Sequence, residues 1–211
     1  NKLALNGFEE KRIHCIPTFT ASKTTIGEQQ IGSYGLYFGR VTEEKGVETV
    51  IKAYEKLPEY TVKIMGDDTT DEAKRLKKYV ENHKMKNVEF LGFKSGEELE
   101  NVIKGARFTL IPSIWYDNLP NTALESFQYS KPVIASNIGS LPELVIDGEN
   151  GYLFKPSNVE DLIKKIKMLD DDTLVKKMGQ ASRKRLESRF APQTHYEELM
   201  KIFNEAVKSR K

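Results

Sequence analysis

The chain has 211 residues, 38% hydrophobic, 9% aromatic and 30% charged, with 33 Lys and Arg against 31 Asp and Glu for a net charge of +2. That is enough for one sizeable core, it is neither a disordered, a collagenous nor a disulfide-scaffold composition, and the charge is too balanced for a protein that chiefly grips a phosphate backbone. No apolar run approaches the roughly 20 residues of a membrane-spanning helix, and a single Cys15 with scattered His14, His83 and His195 gives no internal disulfide, no zinc spacing and a reducing, cytoplasmic setting.

The chain starts at Asn1 with neither an initiator Met nor a signal-peptide pattern, as a piece of something longer would. Residues 1–33 are the least patterned. A strand-like run around Ile13, Cys15 and Ile16 lies between Arg12 and Phe19, with Cys15 expected buried and inert, and Thr20 to Gly32 reads as loop. From Tyr34 the pattern is regular. Tyr34 to Phe38 is an apolar run closed by Gly39, as in a strand buried on both faces. Val47, Val50, Ile51, Tyr54 and Leu57 follow at helical spacing until Pro58. Tyr60 to Met65 is a second strand, and Asp71 to His83 a helix with Ala73, Leu76 and Val80 on one face. Val88 to Leu91 is a third strand, Ser95 and Glu98 form a capping box for the next helix, and Phe108 to Ile111 is a fourth strand. A helix from about Pro120, a strand from Pro132 to Ala135 and a short strand from Gly151 to Phe154 come next. Ser157 and Glu160 form a second capping box, before a helix with Val159, Leu162, Ile163, Ile166 and Leu169 on one face. Two more helices run roughly from Thr173 to Arg189 and from His195 to Lys208.

This alternation predicts an α/β fold: a parallel sheet of about six strands covered by helices on both faces, with a helical tail. In open parallel sheets a ligand binds at the carboxyl ends of the strands. The residues to watch are therefore Gly39-Arg40, Gly66-Asp67, Gly92-Phe93, Pro112-Ser113 and Ser136-Asn137. Arg40 and Lys45, the latter at a helix start, suit an anion, because free N–H groups and the helix dipole favour negative charge there. The alternative is a solvated loop paired with Glu43 or Glu44. Between Ser113 and Glu125, the chain passes from strand end through Trp115, Asp117 and Pro120 into a helix. Amides near Asn121 and Thr122 are free to receive a phosphate. Asp117 and Glu125 suit sugar hydroxyls, or else a helix cap and a surface carboxylate. Glu125 stands beside the core-like Leu124 and Phe127, where a carboxylate usually has a partner or a task. Gly139 lets a ligand approach the backbone, Glu143 reads as structural, and Trp115 reads as packing. Asp67, Asp68, Asp71 and Glu72 read as a solvated helix start before a cation site. No Gly-x-Gly-x-x-Gly and no Walker loop is present.

Taken together, Gly39-Arg40…Lys45-Gly46, Gly92-Phe93, Pro112-Ser113…Trp115-Tyr116-Asp117-Asn118-Leu119-Pro120…Glu125, Pro132…Ser136…Gly139…Pro142-Glu143 and Asp147-Gly148-Glu149-Asn150-Gly151 resemble the C-terminal domain of family 4, or group 1, glycosyltransferases. The resemblance covers about residues 34–170 and continues more weakly through the C-terminal helices. It implies a Rossmann-like half of a GT-B fold and transfer of a sugar from a nucleotide diphosphate, with retention and without metal or cofactor. It places Arg40 and Lys45 on the diphosphate, where they stabilise the leaving group. Gly39 and the amides of Asn121 and Thr122 lie beside them, Glu125 on the ribose, Phe93 and Lys94 at the base, and Asn118 and Leu119 in the donor-binding loop. Asp117 falls where the family usually has Glu, with seven residues between it and Glu125, at the position that faces the donor sugar. Arg40, Lys45, Asp117 and Glu125 are thus the expected catalytic set.

The same resemblance implies an N-terminal acceptor domain for which this chain has no room. Residues 1–33 then read as the interdomain connection and first strand, 34–170 as the nucleotide-sugar domain and 171–211 as C-terminal helices packed on it. Such a chain is expected to bind donor without turning over alone. The expected partners are a UDP-, GDP- or ADP-sugar and, through the other domain, a glycan or lipid-linked acceptor in polysaccharide biosynthesis. Peripheral contact with the inner membrane face belongs to this reading and nucleic acid does not. The C-terminal helix is expected to pack on the other half, leaving Ile202 or Phe203 exposed here. An epimerase or phosphorylase of the same architecture, or a catalytically silent nucleotide-binding module, are the alternatives.

Overall fold

A computed structural model of the chain describes residues 2–20 and 30–208. The stretch 21–29 of the expected Thr20 to Gly32 loop lies outside the described residues. The chain opens with α1 (Lys2–Leu5) and a 3-10 turn at Glu10–Arg12. The strand expected around Ile13, Cys15 and Ile16 does not form, and Cys15 is exposed rather than buried. Pro17 has no N–H to give a ladder. The segment lies instead along the C-terminal helices: Thr20 N donates to Phe190 O at 3.1 Å, and the His195 Nδ1 is 2.8 Å from Pro17 O.

Strands and helices then alternate as β1 (Tyr34–Phe38), α2 (Val47–Glu55), β2 (Thr61–Met65), α3 (Asp71–Asn82), β3 (Val88–Gly92), α4 (Gly96–Lys104), β4 (Ala106–Ile111), α5 (Asn121–Gln128), β5 (Val133–Ser136), α6 (Leu141–Leu144), β6 (Gly151–Phe154), α7 (Val159–Lys167), α8 (Asp172–Arg189) and α9 (Pro192–Lys208). All six strands pair in parallel, in the order β3-β2-β1-β4-β5-β6.

The sheet is buried on both faces because its side chains alternate. Tyr37, Ile64, Leu110 and Ile134 join one core with Val50, Ile51, Leu76, Leu162 and Ile166 from α2, α3 and α7. Their strand neighbours turn the other way. Leu36, Phe38 and Met65 meet Ile103 of α4, while Ile111, Val133 and Ala135 meet Ala123, Phe127 and Leu186 from α5 and α8.

Both expected capping boxes give way to other contacts. Ser95 makes no side-chain cap bond, and Glu98 pairs with Lys94 at 3.4 Å. Before α7 the cap is Asn158, whose side chain accepts from Asp161 N at 2.9 Å, while Ser157 sits in the left-handed region at φ +60° and Glu160 pairs with Lys56. On α9 no described residue is fully buried; Phe203 is exposed and Ile202 half-buried. Among the described residues no helix is long and apolar enough to cross a membrane.

Candidate functional site

The chain leaves β1 for one side of the sheet and returns at β4 on the other, so the strand order reverses between these neighbours. A crevice opens at such a switch point, on the carboxyl ends of the strands. Its floor is bare backbone. Gly39 follows β1 with φ +144° and donates its N–H to Met65 O at 3.0 Å. Gly66 follows β2, and a Cβ there would stand 1.9 Å from Gly39 O. Only a glycine lets these two strand ends converge.

Three loops are tied together above that floor. Lys45 closes a 3-10 turn, Glu43–Lys45, and Gly46 at φ +67° starts α2. Lys45 Nζ pairs with Asp117 Oδ1 at 2.6 Å, with side-chain exposures of 19% and 17%. The buried Ser113 donates its hydroxyl to Asp117 Oδ2 at 2.6 Å. From the loop after β5, Ser140 Oγ donates to Asp117 O at 2.9 Å, and Ile114 N donates to Glu44 O at 3.0 Å. Lys45 therefore pairs with Asp117, 72 positions away in sequence, and not with Glu43 or Glu44.

Arg40 is different. Its guanidinium is largely exposed and only 3.9 Å from Glu44 Oε1, leaving most of its five N–H donors open. Its carbonyl accepts from Tyr37 OH at 2.5 Å. Burial, then the charges of Asp117 and Glu44, push the Tyr37 phenol well above its usual range and keep it a donor. The Thr42 hydroxyl holds the Glu44 carboxyl below its usual range.

Pro120, expected in the first turn of α5, stands one residue earlier, at the extended cap position. Ala123 N bonds Pro120 O at 3.0 Å, and the first-turn amides of Asn121 and Thr122 have no acceptor among the described residues.

These groups frame two adjoining clefts. The wider, about 310 Å³, is lined among others by Met65, Asp67, Phe93, Lys94, Leu99 and Glu125. The narrower, about 190 Å³, is lined among others by Lys45, Ser113, Asp117, Pro120 and Asn121. Phe38, Gly39, Arg40 and Thr122 form their shared wall.

Most of the expected site residues converge here: Gly39, Arg40, Lys45, Phe93, Lys94, Asp117, Asn121, Thr122 and Glu125 all line one cleft or both. Asn118 and Leu119 line neither. Asn118 is exposed on the loop, and Leu119 packs against the core beside Phe127. Glu143, in the first turn of α6, also stays outside, with its carbonyl held by Arg185. Trp115, expected to pack, is 65% exposed, because Ser113 and Ile114 anchor the loop and turn its next side chains outward. The acidic residues after β2 are taken up locally: Asp68 pairs with Lys77, Asp71 with Lys74 and Glu72 with Arg75. Sequence reasoning marked Ser113 by its place after β4 but not its hold on Asp117, and it missed Ser140, which lies four positions past β5 and carries no signal in the chain.

Glu125 makes no hydrogen bond or ion pair with any described residue, and burial pushes its carboxyl above the usual range. A half-buried carboxylate without a partner is destabilising unless a ligand donates to it. Glu125→Gln should therefore stabilise the free chain slightly, of order 0.5 kcal/mol after solvent screening. The sign for wild type follows: the folded chain holds this proton more tightly than the unfolded chain, so stability rises as pH falls through the raised value. Urea melts of both chains between neutral pH and pH 5 check this, and a destabilised Gln variant at neutral pH would sink it.

The comparisons with known proteins agree with this geometry. The family model "Glycosyl transferases group 1" matches residues 25–185. An uncharacterized glycosyltransferase of Methanocaldococcus jannaschii is 32% identical over 149 residues, covering 70% of this chain and 41% of that protein. A glycogen synthase of Mycobacterium tuberculosis is 31% identical over 186 residues, covering 83% of this chain and 42% of the relative. The chain thus spans less than half the length of these curated relatives. The crystal structure of Anabaena HepE in complex with UDP and glucose superposes with a TM-score of 0.74 at 22% identity, over 82% of this chain and 48% of that one.

Proposed function

The chain belongs to the group 1 glycosyl transferases, and on that premise we propose that it is the donor half of a retaining enzyme, holding a nucleotide-sugar while a second domain brings the acceptor. One observation carries the reading: two clefts meet at a wall formed by Arg40, the bare backbone of Gly39 and the first turn of α5. A nucleotide-sugar has the same three parts in the same order. The nucleoside fits the wider cleft, with its ribose on Glu125, which has no partner among the described residues, and its base beside Phe93 and Lys94. The diphosphate fits the shared wall, where Arg40 and the amides of Asn121 and Thr122 point. The sugar fits the narrower cleft beside Asp117. The UDP and glucose of Anabaena HepE support a donor of this class.

The step that needs help is departure of the diphosphate from the anomeric carbon. Negative charge grows on its oxygens as that bond breaks. Arg40, Lys45 and the α5 amides are the donors around them, and the amides, set in the backbone of the helix, act through pre-set position. They supply the countercharge that a metal supplies elsewhere, so the proposed reaction is metal-independent. The acceptor, a glycan or a lipid-linked sugar, enters from the side of the second domain, and this chain alone does not turn over.

Calorimetric titration with UDP, GDP and ADP in metal-free buffer tests the proposal. One of the three should bind, and Arg40→Ala and Glu125→Ala should each weaken it at least about tenfold, or 1.4 kcal/mol. Binding of none at millimolar concentration, or binding indifferent to both substitutions, overturns it.

A further inference from the structure

The lysine assigned to the diphosphate is already engaged, and this has a consequence for what the site releases. We propose that Asp117 is a counter-ion competing with the diphosphate for Lys45, so that the site grips a nucleotide-sugar and lets go of the bare nucleotide. The inference rests on the donor reading above. Lys45 and Asp117 touch at 2.6 Å, with less than a fifth of either side chain exposed. Both line the narrower cleft together with Asn121 and Thr122, the end of the α5 dipole where a phosphate would arrive. An ammonium in contact with a carboxylate presents little net charge to an incoming phosphate.

Asp117 is the fixed member of the pair. Ser113 holds Oδ2 and Ser140 holds its carbonyl, both by hydrogen bonds under 3 Å. The backbone of the Gly139 turn is packed against it so closely that a Cβ on Gly139 would lie 3.2 Å from both Asp117 N and O. Lys45 has a flexible four-carbon stem, so Lys45 is the member that moves. When a donor binds, Lys45 turns to the diphosphate and Asp117 Oδ1 loses its partner. Hydroxyls of the transferred sugar, arriving in the same cleft, donate to Oδ1 in its place. A bare nucleoside diphosphate brings no such replacement and leaves a mostly buried carboxylate short of a partner, which costs free energy. Once the sugar has been transferred, Asp117 takes Lys45 back and the grip on the product loosens. Asp117 acts in this step as a positioning residue for Lys45.

The test titrates the full 211-residue chain and its variants with UDP, GDP, ADP and inorganic pyrophosphate, and then with UDP-glucose, GDP-mannose or ADP-glucose according to the base that binds. Asp117→Asn should tighten the bare nucleotide and pyrophosphate about tenfold, and the nucleotide-sugar by distinctly less. With Lys45→Met in the background most of that gain should vanish, since the cycle isolates the pair. Asp117→Ser must give the same sign, which guards against a folding defect in one variant; thermal melts confirm that each chain is folded. Unchanged or weaker nucleotide binding by both neutral variants, or an equal gain for nucleotide and nucleotide-sugar, overturns the competition while Arg40→Ala still reports on the donor site. If nothing binds wild type or variants, the donor reading itself fails and this inference with it.

Discussion

Replacing Gly46 with Ala should lower the unfolding free energy by about 3 kcal/mol and remove nucleotide binding with it. Two separate costs add at this position. The backbone sits at φ +67°, in the left-handed region, where a Cβ costs about 1–2 kcal/mol. A Cβ would also stand 2.1 Å from Pro112 O and 3.1 Å from Ile114 Cγ2. The carbonyl is main chain at the end of β4 and cannot turn aside, so the two loops must separate, at a cost of about 1–3 kcal/mol. Those loops carry Lys45 and Asp117, and their separation moves both lining groups of the narrower cleft. Gly148 is the control. It has φ +80° but nothing within 4 Å of where a Cβ would stand, so Gly148→Ala should cost only about 1 kcal/mol and leave binding alone. Urea melts followed by circular dichroism, with nucleotide titration at each step, read both effects. Equal losses at the two glycines would mean that the close approach of the loops contributes nothing.

The fold was legible because the strands announce themselves, the first three of them twice. Tyr34 to Phe38 is an unbroken apolar run, and Gly39 stops it; Thr61 to Met65 also closes on a glycine, Gly66, with Lys63 the polar break in its run. A strand buried on both faces has to read this way. Helix faces were as plain, as with Leu162 and Ile166 of α7 in the core. Helix starts were not. A Ser followed three residues later by Glu predicts a cap only if both side chains are free to fold back, and Glu98 and Glu160 are drawn to Lys94 and Lys56. The strand-like run around Cys15 failed for a related reason: its pattern is local, and whether it forms a strand depends on an edge to pair with.

The site was legible in its parts and not in its assembly. The rule that ligands gather after strand ends found Arg40, Lys45, Asp117 and Glu125 individually. No pattern in the chain says that Lys45 reaches Asp117 rather than Glu44, since 72 positions separate them and only the neighbouring of β1 and β4 brings them together. Trp115 shows the converse limit. A large aromatic is expected to be buried on area alone, yet an anchored loop can hold one outward.

Lys131→Met should destabilise the chain by about 3–5 kcal/mol, close to 10 °C in Tm for a domain of this size. Lys131 precedes Pro132 at the foot of β5, a place where a lysine ordinarily reaches solvent, and no sequence feature marks it. Here it is 1% exposed. Its Nζ donates to Gln30 O at 2.7 Å, Lys104 O at 2.6 Å and Ala106 O at 2.7 Å. Three N–H groups meet three carbonyls, one of them the last of α4, whose dipole favours a cation. The lysine thereby ties the end of α4, the start of β4 and the segment before β1 together. Met fills nearly the same volume and donates nothing, so the carbonyls are left buried without a partner at about 1–3 kcal/mol each, offset by the relief of no longer burying a charge. A pH scan adds a signature of that charge. Burial pulls the ammonium down to about 8, while the unfolded chain keeps the proton to about 10.4. Between those values the unfolded state binds more protons, so wild-type stability should rise with pH across this window, an increment the Met variant lacks. Denaturant melts of both chains at pH 7 and pH 9.5 measure it; a Met variant as stable as wild type would show that the three carbonyls find other donors and that the ammonium is not what joins these segments.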